Sequence, residues 1–186
     1  MSKVFVITGP SGVGKGTLIS ELLRRVPDLE LSVSATTREP REGEEDGRDY
    51  HFLDRADFDR RADASEFLEF ATYSGNRYGT LREEVESRLA EGRSVVLEIE
   101  VQGARQVRAA MPESVQVFIA PPEPAALRER LQSRGTDSPE AIDARLAVAA
   151  QELAAQDEFA YRVVNDDREG AAEELERIVR SELEAG

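Results

Sequence analysis

The chain has 186 residues, 40% hydrophobic content and no cysteine, which suits one domain with a proper core and excludes disulfides and thiolate metal sites. Its formal net charge is −14, with acidic residues spread along the whole length, so the surface repels long polyanions and no nucleic-acid partner is expected. The opening MSKVFVITGP is too short for a signal peptide, and no run approaches the ~18 apolar residues that span a bilayer, so the expectation is a cytoplasmic protein with no membrane partner.

Short apolar runs alternate with helical periodicity, which predicts an α/β fold with a parallel sheet. Val4–Thr8 (VFVIT) reads as a strand covered on both faces. Leu18, Ile19, Leu22, Leu23 and Val26 follow at helix spacing, and Pro27 stops that helix. Residues 32–80 break the rhythm with shorter runs, Tyr50–Leu53 and Phe67–Tyr73, and turns at 42–47 and 74–76, as a small mixed-β insertion would. Ser94–Glu100 and Val115–Ala120 read as two more buried strands, with Ala104, Val107 and Met111 on a crossover helix between them. After Pro121, Pro122 and Pro124 a helix runs to about Arg134, and residues 134–138 form a polar hinge of the kind a lid uses. Ser138 and Pro139 signal the next helix, an N-cap followed by proline at the first position, which runs to about Asp157. A last short strand at Arg162–Asn165 and a charged amphipathic helix complete the chain.

Between the first strand and the first helix lies GPSGVGKGT, Gly9, Pro10, Ser11, Gly12, Val13, Gly14, Lys15, Gly16 and Thr17. A strand, then G-x-x-x-x-G-K, then an amphipathic helix is the setting of a phosphate-binding loop. Its glycines let consecutive N–H groups turn inward as an anion nest, and the helix N-terminus adds its dipole. Lys15 brings a compact cation; in a chain whose only other lysine is Lys3, a lysine here is informative. The strict motif has Ser or Thr after that lysine, to hold Mg²⁺. Gly16 stands there instead and the hydroxyl comes at Thr17, so no protein metal ligand is assigned, and Mg²⁺ is expected on phosphates and water.

Arg38 and Arg41 flank Pro40 in a segment of mostly acidic neighbours. A rigid turn holding two arginines makes a candidate bidentate phosphate clamp; local surface salt bridges are the plainer alternative.

Several blocks, in order, resemble the guanylate kinases: SVSATTREPREGEEDGRDYHF at 32–52, FLEFA at 67–71, GNRYGT at 75–80, EIEVQGA at 98–104, RLQSRGTDSPEAIDARL at 130–146 and VVND at 163–166. They cover nearly the whole chain, and a GKGT loop ending is itself frequent in nucleoside-monophosphate kinases. The resemblance implies a P-loop NTPase-type parallel sheet flanked by helices, with a core at 1–31, 81–125 and 146–186, a GMP-binding region at 32–80 and a helical lid at about 126–145. It implies phosphorylation of GMP, and of dGMP, by ATP with Mg²⁺. Carried over by residue, Ser34, Arg38, Arg41, Tyr50 and Tyr78 would hold the GMP phosphate, and Glu69 and Thr80 the guanine. Arg130, Arg134 and Arg145 match lid arginines, and Asn165 a position near adenine. Lys15, Arg38 and the three lid arginines form the implied catalytic set.

The chemistry of the base agrees. Guanine offers N1–H and N2–H₂, which one carboxylate can accept together, and its O6 needs a donor such as a threonine hydroxyl. Adenine would leave both groups mispaired.

Alternation places Glu98 and Glu100 on one face of a strand, near the end where ligands bind in open sheets. Aspartate is what the resemblance leads one to expect at 100, where the longer Glu100 either reaches guanine or metal-bound water by a shifted path or has a diminished role. His51, the sole histidine, reads as a surface or packing residue, because phosphoryl transfer needs no imidazole base. Two rival readings are a non-catalytic guanylate-kinase-like interaction module and a P-loop kinase acting on a sugar phosphate. The retained Lys15 and arginines argue against the first, and Glu69 with Thr80 against the second.

Overall fold

Val4–Thr8 (β1) is the middle strand of the main sheet, with all five residues buried. A computed structural model describes residues 2–73, 75–133 and 138–185. Strand alternation sends Phe5 and Ile7 to one face of the sheet and Val4 and Val6 to the other, and each pair joins a separate apolar cluster. Burial on both faces is why this strand is a continuous apolar run rather than an alternating one.

On the first face, Lys15–Arg25 (α1) packs Leu18, Ile19 and Leu22 against the C-terminal helix Arg168–Glu184 (α7), which contributes Leu175, Ile178 and Val179. On the other, Arg82–Ala90 (α3) and Val101–Ala110 (α4) bring Val85, Val101, Ala104 and Val107. Leu29–Leu31 (β2), Ser94–Glu98 (β7), Val115–Ala120 (β8) and Tyr161–Val164 (β9) complete a five-stranded sheet in the order β2-β7-β1-β8-β9. Its neighbours all run parallel, so the strand ends that open onto ligand sites in such folds lie along one edge.

The insertion forms a second, mixed sheet. Ala35–Thr36 (β3), His51–Phe52 (β4), Phe67–Tyr73 (β5) and Asn76–Leu81 (β6) are ordered β4-β3-β6-β5, with β3–β4 parallel and the other pairs antiparallel. Phe58, from Arg55–Asp63 (α2), stacks on Phe67 with ring centroids 4.4 Å apart and gives this lobe its own small core with Ala35. Pro124–Ser133 (α5) and Pro139–Ala154 (α6) form a helical pair between β8 and β9.

Several boundaries differ from the sequence expectation. The strand expected over Ser94–Glu100 stops at Glu98, because the Glu100 carbonyl already accepts the Ala104 N–H and makes Glu100 the N-cap of α4. The strand around Tyr50–Leu53 is confined to His51–Phe52. The helix expected to run to about Asp157 ends at Ala154 and gives way to a 3₁₀ turn at Gln156–Glu158. The last strand is Tyr161–Val164, and Asn165 follows it with its N–H on the Ala120 carbonyl at 2.8 Å. The Ser138 N-cap forms as expected, accepting from the Ala141 N–H. No helix among the described residues is long and apolar enough to cross a membrane.

Candidate active site

The phosphate loop leaves the C-terminal end of β1. Gly9 has φ +151° and packs so closely on β8 that a Cβ would run into the Ile119 carbonyl oxygen. Gly14, the N-cap of α1, sits in the left-handed region at φ 97°, which glycine alone occupies without strain. Lys15 folds back over its own loop, and its Nζ donates to the Gly9 carbonyl at 2.5 Å. The side chain is thereby held across the nest formed by the loop.

Two openings flank this loop. The larger is a cleft of about 860 Å³ lined by Ser11, Lys15 and Thr17 on one side and by Ser34, Tyr50, Glu69, Tyr78 and Thr80 from the mixed-β lobe on the other. Pro10, Gly12, Gly14, Gly16, Glu98 and Glu100 also line it. The smaller opening, about 370 Å³, lies beyond the loop, between Gly12, Gly14 and Thr17 and the residues Arg130, Asn165 and Arg168.

In the large cleft, β5 and β6 pair so that Glu69 and Thr80 are directly opposite. The Thr80 hydroxyl donates to Glu69 Oε1 at 2.7 Å, and both residues are buried. Burial pushes the Glu69 carboxyl above its usual range, against the lowering effect of the bonds from Thr80. A carboxylate and a hydroxyl fixed together at the base of a cleft suit a planar ligand with paired donors and an acceptor.

Tyr50 and Tyr78 meet edge to face, 6.2 Å between centroids, and the Arg38 guanidinium lies 5.3 Å from the Tyr50 ring. Arg38 also donates to both oxygens of Glu44, at 2.8 and 2.9 Å, and the Arg41 backbone N–H donates to the same carboxylate. The turn around Pro40 is therefore closed by a carboxylate, and the Arg41 side chain is exposed. His51 Nε2 stands 3.4 Å from Glu84, whose other oxygen accepts from the Val33 N–H and from Arg88. These contacts bridge the mixed-β lobe to α3, a packing role rather than a place in the cleft.

Arg130 and Asn165 act on the loop from the other opening. Arg130 donates to the Val13 carbonyl at 3.0 Å and to the Asn165 carbonyl at 2.8 Å, and Asn165 Nδ2 donates to Val13 at 2.7 Å. Arg145 is half-buried on α6. Arg134 lies outside the described residues.

Glu98 and Glu100 both line the large cleft, one from the strand end and the other from the helix cap. A Cβ on Gly16 would come within 3.8 Å of the Glu98 carboxylate, so an acid faces the place where a loop hydroxyl would stand. Burial raises the Glu98 pKa, with Lys15 pulling the other way. Among the described residues no cluster of three or more His, Asp or Glu could hold a metal.

The sequence reading missed Glu152. It lies in the last turn of α6 and is buried, with Glu100 and the Ser11 N–H beside its carboxyl. Burial first, then the Glu100 charge, pushes its pKa up to about 7. A visible signal existed: Glu152 falls on the buried stripe of α6 with Ile142 and Ala149, where a charge is out of place.

A glycine-rich loop with its lysine at the end of a central parallel strand, opening on a two-sided cleft, defines a P-loop kinase. The guanylate kinase family model matches residues 1–182. The guanylate kinase of Gloeobacter violaceus is 52% identical over 98% of this chain and 89% of its own length. That of Synechococcus is 54% identical over 94% and 93%, and that of Rubrobacter xylanophilus 51% identical over 99% and 96%. The crystal structure of the guanylate kinase from Anaplasma phagocytophilum superposes with TM-score 0.77 at 35% identity, covering 97% of this chain and 86% of that one. Shikimate kinase from Bacteroides thetaiotaomicron shares the fold, at TM-score 0.52 and 15% identity. The chain belongs to the guanylate kinase family.

Proposed function

We propose that the chain transfers the γ-phosphoryl group of ATP to GMP, giving ADP and GDP. The family and the full-length relatives support this activity. The observation that carries it is the Glu69–Thr80 pair, buried at the base of the same cleft that Lys15 borders. Neither the interaction module nor the sugar-phosphate kinase accounts for both halves of that cleft.

In this reading the loop from Gly9 to Thr17 cradles the ATP phosphates, with its N–H groups and Lys15 taking the negative charge. Arg134 and Asn165 are assigned to ATP binding, Asn165 near the adenine. Ser34, Arg38, Arg41, Tyr50 and Tyr78 hold the GMP phosphate, Glu69 and Thr80 read guanine, and Glu100 stands beside the base. Phosphoryl transfer needs alignment and charge stabilisation more than covalent help. Lys15, Arg38, Arg130, Arg134 and Arg145 supply the charge, and closure of the lid, α5 and the start of α6, over the cleft excludes water.

Gly16 offers no hydroxyl to a metal, while Glu98 faces the same spot, a donor set that fits a Mg²⁺ bound mainly through the ATP phosphates and water. Such an ion would neutralise phosphate charge, with Glu98 and Thr17 accepting from its waters. Guanine nucleotide metabolism fits a cytoplasmic enzyme.

The test is a nucleotide panel. Purified protein with Mg-ATP should convert GMP to GDP much faster than it phosphorylates AMP, CMP or UMP. Absence of GMP-dependent ADP formation across a range of salt concentrations would refute the activity.

A further inference from the structure

Gly103 is buried in the first turns of α4 and borders the large cleft. Helix interiors disfavour glycine relative to alanine, and the positive-φ glycines of this chain do not include it, so backbone freedom does not account for it. Its surroundings do. A Cβ at 103 would lie 2.5 Å from Glu69 Oε2, 3.1 Å from the carboxyl carbon and 3.4 Å from Cγ. The carboxylate that faces the base site therefore rests directly on the helix backbone, in space that only a missing side chain provides.

The other carboxylate oxygen is fixed as well, by the Thr80 hydroxyl. The β5 backbone is also pinned. Gln106, three residues on and so on the same face of α4, donates from Nε2 to the Phe70 carbonyl at 3.0 Å and accepts from the Phe70 N–H at 3.2 Å. Glu69 is thus tied to α4 through its neighbour. On the opposite side Gly79 is in van der Waals contact with β5, where a Cβ would meet the Glu69 carbonyl at 2.8 Å. With the strand clasped from both sides, a methyl group at 103 is relieved by movement of the Glu69 carboxylate, the flexible end of the contact.

We propose that Gly103 is a specificity-determining positioning residue: it sets the position of the Glu69 carboxylate and hence the selectivity of the cleft for guanine. The inference rests on the GMP-kinase reading above. Replacing Gly103 with alanine adds a better helix former and removes no hydrogen-bonding group, so it tests site geometry with little change to the fold.

The experiment measures steady-state kinetics and thermal unfolding for wild type, Gly103→Ala, Glu69→Asp and the double variant. Gly103→Ala should unfold at or above the wild-type temperature and keep its KM for ATP. Its KM for GMP should rise by about tenfold to a hundredfold, with a matching loss of preference for GMP over AMP, as expected when a charged hydrogen-bonding group is displaced. In the Glu69→Asp background the shorter carboxylate clears the new methyl, so adding Gly103→Ala should change the GMP KM far less. A Gly103→Ala enzyme within twofold of the wild-type KM for GMP overturns the inference. So does an equal loss in both backgrounds, or a lowered unfolding temperature that accompanies weaker binding of both nucleotides. Failure of the wild type to phosphorylate GMP refutes the activity itself, and the inference with it.

Discussion

Thr80 Oγ1 donates to Glu69 Oε1 at 2.7 Å across the β5–β6 pair, so the two groups at the base of the cleft hold each other in one orientation. Thr80→Val removes the donor and leaves a buried carboxylate oxygen with one partner fewer. The GMP KM should rise by about ten- to a hundredfold, the equivalent of about 1–3 kcal/mol, and discrimination against AMP should narrow. Competition kinetics with the two nucleotides checks both effects.

Lys15 spans its own loop to the Gly9 carbonyl. Lys15→Met should lower turnover by at least about 10²-fold, since it removes charge from the moving phosphoryl group, while calorimetric GMP binding persists. Replacing Arg38 and Arg41 together should weaken GMP binding instead. A reversed pattern would mean that the donor and acceptor halves have been exchanged.

The Val13 carbonyl receives both Arg130 and Asn165. Cutting this tether with Arg130→Met frees the far side of the phosphate loop. The KM for ATP should rise several-fold more than the KM for GMP, measured with the second nucleotide saturating.

Glu152 carries a pKa of about 7 in the folded protein against an ordinary 4.5. The folded state therefore holds a proton that the unfolded chain releases, and this group's contribution to stability is complete below pH 4.5 and is lost as pH rises through about 7. Lys15 and Glu100 face the same carboxyl, as does the Ser11 N–H. Glu152→Gln keeps a hydrogen-bonding amide without the titration. Urea unfolding at a series of pH values should show wild-type stability declining between pH 5 and 8 by on the order of 1 kcal/mol, and a flatter profile in the variant.

Much of this architecture was legible because its signals are local. The phosphate loop needs only nine consecutive residues between a buried strand and an amphipathic helix, and the Ser138–Pro139 helix start needs two. β2, β3, β6, α2 and α3 carry no such periodic signal. Phe58 is the one buried residue of α2 and Val85 that of α3, so neither helix has a repeating apolar stripe from which a period could be read. The cap of α2, Asp54 accepting from the Asp57 N–H, was the available cue. Glu100 reads as strand because its alternation with Glu98 continues past the last ladder residue. Gly103 depends on a contact between distant segments, which spacing does not encode. The pairing of Arg38 with Glu44, out of several nearby acids, likewise belongs to the folded turn.

That turn has a consequence for how a substrate would be held. The Arg38 guanidinium is already engaged by a carboxylate, whose own pKa is lowered by the contact. In the proposed reading an arriving phosphate exchanges one anion for another, so the affinity gained is a difference between two similar pairings and not the strength of either. Glu44 would then compete for the arginine and pair with it again once the diphosphate product leaves. An acceptor site arranged in this way favours rapid turnover over tight retention.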